Sequence, residues 1–141
     1  MAPISLIKQV GYFNNDVHAV DDYHLYLWLS QLGPIIRIKL PLTYYYFHDN
    51  NLSMIDTVIF KGLSGMAKIL EEQEAPRFWV RMITAQSLKS EGVYMLRKDP
   101  NKALANITKS LRAHFRLRSF AIWLVALKMV LTPSRFRKFQ A

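Results

Sequence analysis

From Ser53 to Leu131 the chain contains no stretch that reads as a β-strand, and Pro76, Asp99-Pro100 and the region of Arg116 cut it into helix-length pieces. Proline is tolerated in a first helical turn, where its missing N–H has no intrahelical acceptor to lose, and an aspartate just before it can cap that turn. The spacing predicts helices over about 53–72, 76–97, 99–116 and 117–131, with Gly92 weakening the second and a short basic tail beginning at Thr132-Pro133-Ser134. Upstream, 5–10 predicts a short helix stopped by Gly11. Asp21 reads as the N-cap of a longer one, since Leu25, Trp28, Leu29 and Leu32 follow at helical spacing and Gly33-Pro34 closes it. Strand character is confined to IIRIK (35–39), which alternates, and LTYYYF (42–47), which is β-branched and aromatic; HDNNLS then reads as a loop. Two short strands do not make a stable sheet, so these are expected to pair with strands outside this sequence.

The chain has 141 residues, about one domain, and is 51% hydrophobic, enough to bury a core. It has no cysteine, which excludes a disulfide framework, a thiol nucleophile and a thiolate zinc site, and fits a reducing compartment such as the cytoplasm. Charge is divided along the chain. Residues 1–76 carry five Lys/Arg against eight Asp/Glu, net −3, and residues 77–141 carry fourteen against two, net +12. A single-sign field of that size faces phosphates on a membrane surface or on nucleic acid, or is a solvated helical surface. MAPISLIKQVGYF does not read as a signal peptide. FAIWLVALKMVL (120–131) would span about 18 Å as a helix against the roughly 30 Å of a bilayer core, and Lys128 interrupts it, so it does not read as a transmembrane helix.

Three polar clusters stand out in the first 55 residues: Gly11-Tyr12-Phe13-Asn14-Asn15, the acidic pair Asp21-Asp22 opening the amphipathic helix, and Tyr45-Tyr46-Phe47-His48 running into Asp49-Asn50-Asn51-Leu52-Ser53. By local physics alone the acidic pair is a helix start, with Asp21 capping and Asp22 complementing the dipole. In order and spacing, the three clusters resemble the C-terminal part of the catalytic domain of family 2 glycosyltransferases of the GT-A type. The resemblance covers a little over a third of the chain.

That resemblance implies an α/β remnant, the end of a GT-A Rossmann-like domain with two short strands over residues 1–55, followed by a basic helical extension over 56–141. It implies an inverting transfer from a nucleotide-sugar donor to a hydroxyl of a glycan or lipid-linked acceptor, as in polysaccharide biosynthesis. Asp22 would be the general base and Asp21 its orienting neighbour, with a divalent cation (Mg or Mn) stabilising the leaving diphosphate. Tyr46 and Trp28 stand where the family often has arginines and are candidate substrate contacts. His48 is a candidate metal ligand, although one imidazole is not a site, and a histidine hydrogen-bonded at a strand end is the alternative. His24 is given no catalytic role. The family's nucleotide-binding strands and D-x-D motif have no counterpart before Asp21, so the chain reads as a fragment and is expected to be inactive in isolation.

Residues 77–141 resemble the helical extension of many family 2 enzymes, and DPNKALANITKSL resembles one tetratricopeptide-like unit in which Ala103 and Ala105 allow close helix approach. Lys109, Arg112 and Arg116 form a basic stripe. Arg118, Arg135, Arg137 and Lys138 frame the apolar segment that holds Trp123, a pattern that fits a helix lying on an anionic membrane surface. The expected location is the cytoplasm, peripheral to the inner face of the membrane. The alternative function is a non-enzymatic basic helical module that binds a membrane surface or a protein partner. Nucleic-acid binding lacks a recognisable motif and is not expected.

Overall fold

The computed structural model describes residues 2–46, 51 and 55–131, and among them every regular element is a helix. In order these are α1 (Ile4–Gln9), α2 (Asp21–Leu32), α3 (Asp56–Glu72), α4 (Arg77–Met95), α5 (Pro100–Ala113) and α6 (Leu117–Leu131). The expected α/β remnant is therefore corrected to an all-helical fold. No strand forms at 35–39 or over the described part of 42–47. A strand is made by cross-strand hydrogen bonds, and β-branched or aromatic content does not replace a missing partner. The segment instead runs irregular and open, with Ile36 81% exposed and Tyr44 fully so. His48 lies outside the described residues.

Helix ends are set by local chemistry. Asp99 accepts a hydrogen bond from the Lys102 N–H (3.0 Å) with Pro100 in the first turn of α5, the cap that the dipeptide predicts. After α1, Gly11 takes φ 86°, and the Gly11 and Tyr12 N–H groups return to the Lys8 and Ile7 carbonyls. The end of α3 repeats this double-bonded turn without a glycine. Glu74 takes φ 54°, its N–H donates to the Glu71 carbonyl, and the Ala75 N–H donates to the Leu70 carbonyl. Leu70 and Ala75 are both buried, the apolar contact that accompanies such a turn. Helix α5 ends at Ala113, so Arg116 falls in the turn before α6 and the expected basic stripe is interrupted.

Helices α3 to α6 pair in succession, and their short connections make neighbours antiparallel. Side-chain hydrogen bonds tie the seams: Ser87 Oγ to the Phe60 carbonyl (2.8 Å), Ser110 Oγ to the Ala85 carbonyl (2.7 Å) together with Arg81 Nε to the Ala113 carbonyl (3.0 Å), and Trp123 Nε1 to Thr108 Oγ1 (2.9 Å). Gly92 is where α4 and α5 approach, since a Cβ there would stand 2.6 Å from Ile107 Cγ1 and 3.2 Å from the Ala103 carbonyl oxygen. Its lower helix propensity is offset by that approach. Ala103 is fully buried in the seam, whereas Ala105 is exposed and has no part in it.

One buried cluster joins Val17 and Val20 to Leu63, Met66, Leu70, Trp79 and Ile83, so residues before and after position 55 share a core. The loop entering α2 presses its His18 carbonyl onto α3 at Gly62, where a Cβ would lie 2.4 Å from that oxygen. Gly65, one turn along, faces open space. Gly65→Ala should therefore stabilise the protein by up to about 1 kcal/mol through helix propensity. Gly62→Ala should instead destabilise it by about 1–2 kcal/mol, because backbone must move. Urea unfolding of the two variants, with circular dichroism as the probe, checks the opposite signs.

Candidate functional site

Helix α2 sorts its side chains onto two faces. His24 and Leu25 are buried and Trp28 is half-buried, whereas Asp22, Tyr23, Tyr26 and Ser30 line a cavity on the other side. Positions 22, 26 and 30 follow the four-residue spacing that aligns side chains on one helix face.

The inward face fixes the helix. The Trp28 indole N–H donates to His24 Nε2 at 3.2 Å, and Gln73 Oε1, from the turn after α3, lies 3.0 Å from the same nitrogen. The Trp28 ring meets Trp79 of α4 edge-on, with centroids 5.4 Å apart and planes at 82°. Trp28 is thus placed in packing between helices and does not line the cavity. His24 is likewise a buried positioning group, and its Nδ1 has no hydrogen-bond partner among the described residues.

The acidic pair divides its work differently from the simple cap. The residue at the N-cap of α2 is Val20, which makes no side-chain capping bond, and Asp21 is the first helical residue. It is Asp22 that takes a backbone donor, accepting the Tyr23 N–H at 2.8 Å. A polar side chain at the cap position was the expectation, but Val20 is 2% exposed and its burial against the core holds that place. Both carboxylates still sit in the first turn, where the positive end of the helix favours negative charge.

The cavity has a volume of about 660 Å³ and lies among α2, α3, α4 and the turn before α6. That falls in the range of small-molecule sites, roughly 300–1,000 Å³. Ile59, Leu63, Met82 and Ile83 form its apolar floor, and Tyr23 and Tyr26, both more than half exposed, stand at its side. Asp22 and Arg116 are the two charged residues on its wall. No ion pair joins them; the one ion pair among the described residues is Lys102 with Glu91, at 3.2 Å. Arg116 is the positive charge on that wall. Sequence reasoning missed it because its proximity to α2 is purely tertiary. Tyr23 and Tyr26 were legible in principle from their places beside Asp22 on the polar face.

Tyr46 lies on the open segment, 83% exposed, with its carbonyl accepting from Asn51 Nδ2 at 2.9 Å. The structure does not bring it to the cavity wall. Among the described residues no group of three His, Asp or Glu side chains comes together that could hold a metal ion. Asp21 and Asp22 alone do not fit a divalent-cation site, which needs several oxygen ligands around one point.

The placement of Trp28 has a measurable consequence. Trp28→Phe keeps the ring contact with Trp79 but removes the indole donor, and should cost about 1 kcal/mol in chemical unfolding. Trp28→Ala should cost about 3 kcal/mol through loss of the packed ring.

Comparison of the chain with known protein families, with curated proteins and with solved structures finds no match.

Proposed function

We propose that this chain is the acceptor-side part of a family 2-like glycosyltransferase in which Asp22 is the general base. The observation that carries the reading is the position of Asp22, a carboxylate in the first turn of α2 on the wall of a cavity of small-molecule size. An acceptor hydroxyl seated there would give its proton to Asp22 as its oxygen attacks the anomeric carbon of the nucleotide sugar. The new glycosidic C–O bond forms on the face opposite the departing diphosphate, which inverts the configuration. Asp22 sits in the first turn of α2, where the positive end of the helix favours negative charge. Tyr23 and Tyr26 offer apolar ring faces with polar hydroxyls, the combination that suits a sugar ring.

The nucleotide-binding part and the residues that would hold a Mg or Mn ion lie, in this reading, outside the described residues. The apolar side chains left open between Ile35 and Tyr46 are consistent with a surface that such a part covers. The chain by itself is then inactive. With the donor-binding segment restored, Asp22→Asn should lower turnover by roughly a thousandfold while leaving donor binding intact. Near-normal turnover in that variant would contradict the assignment of the base.

A second reading, membrane-surface binding, is favoured by α6. Leu117 (76%) and Leu131 (70%) are exposed with Phe120 and Leu124 between them, at spacings that put all four on one side of the helix. Arg116 and Arg118 stand at its start. Among the described residues no helix is long and apolar enough to cross a membrane, and an apolar face beside cations is the pattern of a helix lying in the interface. Trp123 is not part of that face, being half-buried and hydrogen-bonded to Thr108. This reading puts the protein in the cytoplasm at the inner face of the membrane. Flotation with vesicles containing anionic lipid should carry the protein at low salt and release it as salt rises. Leu124→Asp should abolish flotation, and equal flotation of that variant would contradict a role for α6.

A further inference from the structure

The turn between α5 and α6 is pinned to the first turns of α4. Arg81 Nε donates to the Ala113 carbonyl at 3.0 Å, and the His114 ring meets Phe78 edge-on, with centroids 5.4 Å apart and planes at 80°. Phe115 follows in the turn, 64% exposed, and its ring centroid lies 6.3 Å from that of Phe120 on α6. These contacts carry the exposed apolar side of α6 around a corner to α4, where Phe78 is 59% exposed. Cations frame the corner. Arg112 lies in the last turn of α5, and Arg116 and Arg118 flank Leu117 in the chain, all three exposed. None of them is in an ion pair among the described residues, and from Pro100 to Leu131 the sequence contains no Asp or Glu.

We propose that this corner is the point at which the protein enters an anionic membrane surface. Phe115, Leu117 and Phe120 sit at the boundary between headgroups and acyl chains with Phe78 beside them, and Arg112, Arg116 and Arg118 lie over lipid phosphates. The inference rests on the membrane-surface reading and specifies it: that reading uses α6 and the cations at its start, and the corner adds the turn, Arg112 and Phe78 of α4. Charge complementarity selects the lipid. Cations with no carboxylate among them gain from each anionic headgroup they meet, and a guanidinium fork matches phosphate oxygens. The pinning of the turn matters because a segment already ordered gives up little conformational freedom on insertion. Single-stranded nucleic acid is the other polyanion that cations and exposed rings hold. The bilayer is favoured because the rings continue into Leu117 and Leu124, aliphatic side chains that give a base no ring to stack on.

The chain has no cysteine, so a single introduced cysteine in the whole chain takes a nitroxide label without background. The probe is vesicles of phosphatidylglycerol and phosphatidylcholine in equal parts, at low salt. Labels at Phe115→Cys and Leu117→Cys should become accessible to oxygen and shielded from a water-soluble nickel chelate, at a depth of about 5–10 Å. A label at Glu72→Cys, exposed at the end of α3, should stay in water. Phe115→Asp should weaken flotation at least about tenfold, and Phe115→Leu should keep it within about threefold, which separates an apolar requirement from damage to the fold. Arg112→Gln/Arg118→Gln should weaken binding at least about tenfold to these vesicles and leave binding to phosphatidylcholine alone unchanged. Native flotation with the labels at 115 and 117 left in water would overturn the inference while membrane binding by another face stands. Absence of flotation would overturn both. Tighter binding of a single-stranded oligonucleotide that competes with the vesicles and depends on the same arginines would overturn it in favour of nucleic acid.

Discussion

The orientation of α2 depends on a small buried joint in which Trp28 meets Trp79 edge-on while His24 is held between the Trp28 indole and Gln73. Each component comes from a different place: His24 and Trp28 from α2, Gln73 from the turn closing α3, and Trp79 from the first turn of α4. The left-handed residue Glu74, next to Gln73, is what folds that turn so that Leu70 and Ala75 bury together and α4 can begin. His24 Nε2 serves one partner at a time, accepting from the Trp28 indole within α2 or donating to Gln73 Oε1 across to the turn after α3. The close approach of the His18 carbonyl to Gly62 fixes where the helix starts. With its inward face locked, α2 has no freedom in what it shows on the other side, and that side is the cavity wall.

The division of charge along the chain takes on spatial meaning in that cavity. Asp22 comes from the acidic first part and Arg116 from the basic second part, and folding sets them on the walls of one space without pairing them. The basic helical part contributes to the wall of this cavity, and the core is shared across position 55.

How much of this was legible depended on how local the cause was. The bounds of α6 and the cap at Asp99 follow from residues within a turn of each other, and the chain states them openly. The glycine stop after α1 is of the same kind. The strands expected at IIRIK and LTYYYF failed because pairing is a nonlocal property that composition cannot guarantee. Val20 displaced Asp21 from the cap position because burial in the core outweighs a capping hydrogen bond that water can replace. Gly92 looked like a weakness in a helix viewed alone and became a contact point once α5 lay across it. Trp28 was read as a substrate contact from its place in a motif, and the structure puts its ring between helices. Arg116 was recognised as a cation, but nothing in its neighbours says that α5 ends three residues earlier and turns it toward α2.

In the transfer we propose, the Asp22 carboxylate faces the acceptor. The most direct measurement is a crystal structure of the chain together with its donor-binding segment and a bound acceptor. A general base at Asp22 places one of its carboxylate oxygens within hydrogen-bond reach, roughly 2.6–3.2 Å, of the hydroxyl that receives the sugar. An acceptor bound elsewhere, with the Asp22 side chain turned to solvent, would contradict it.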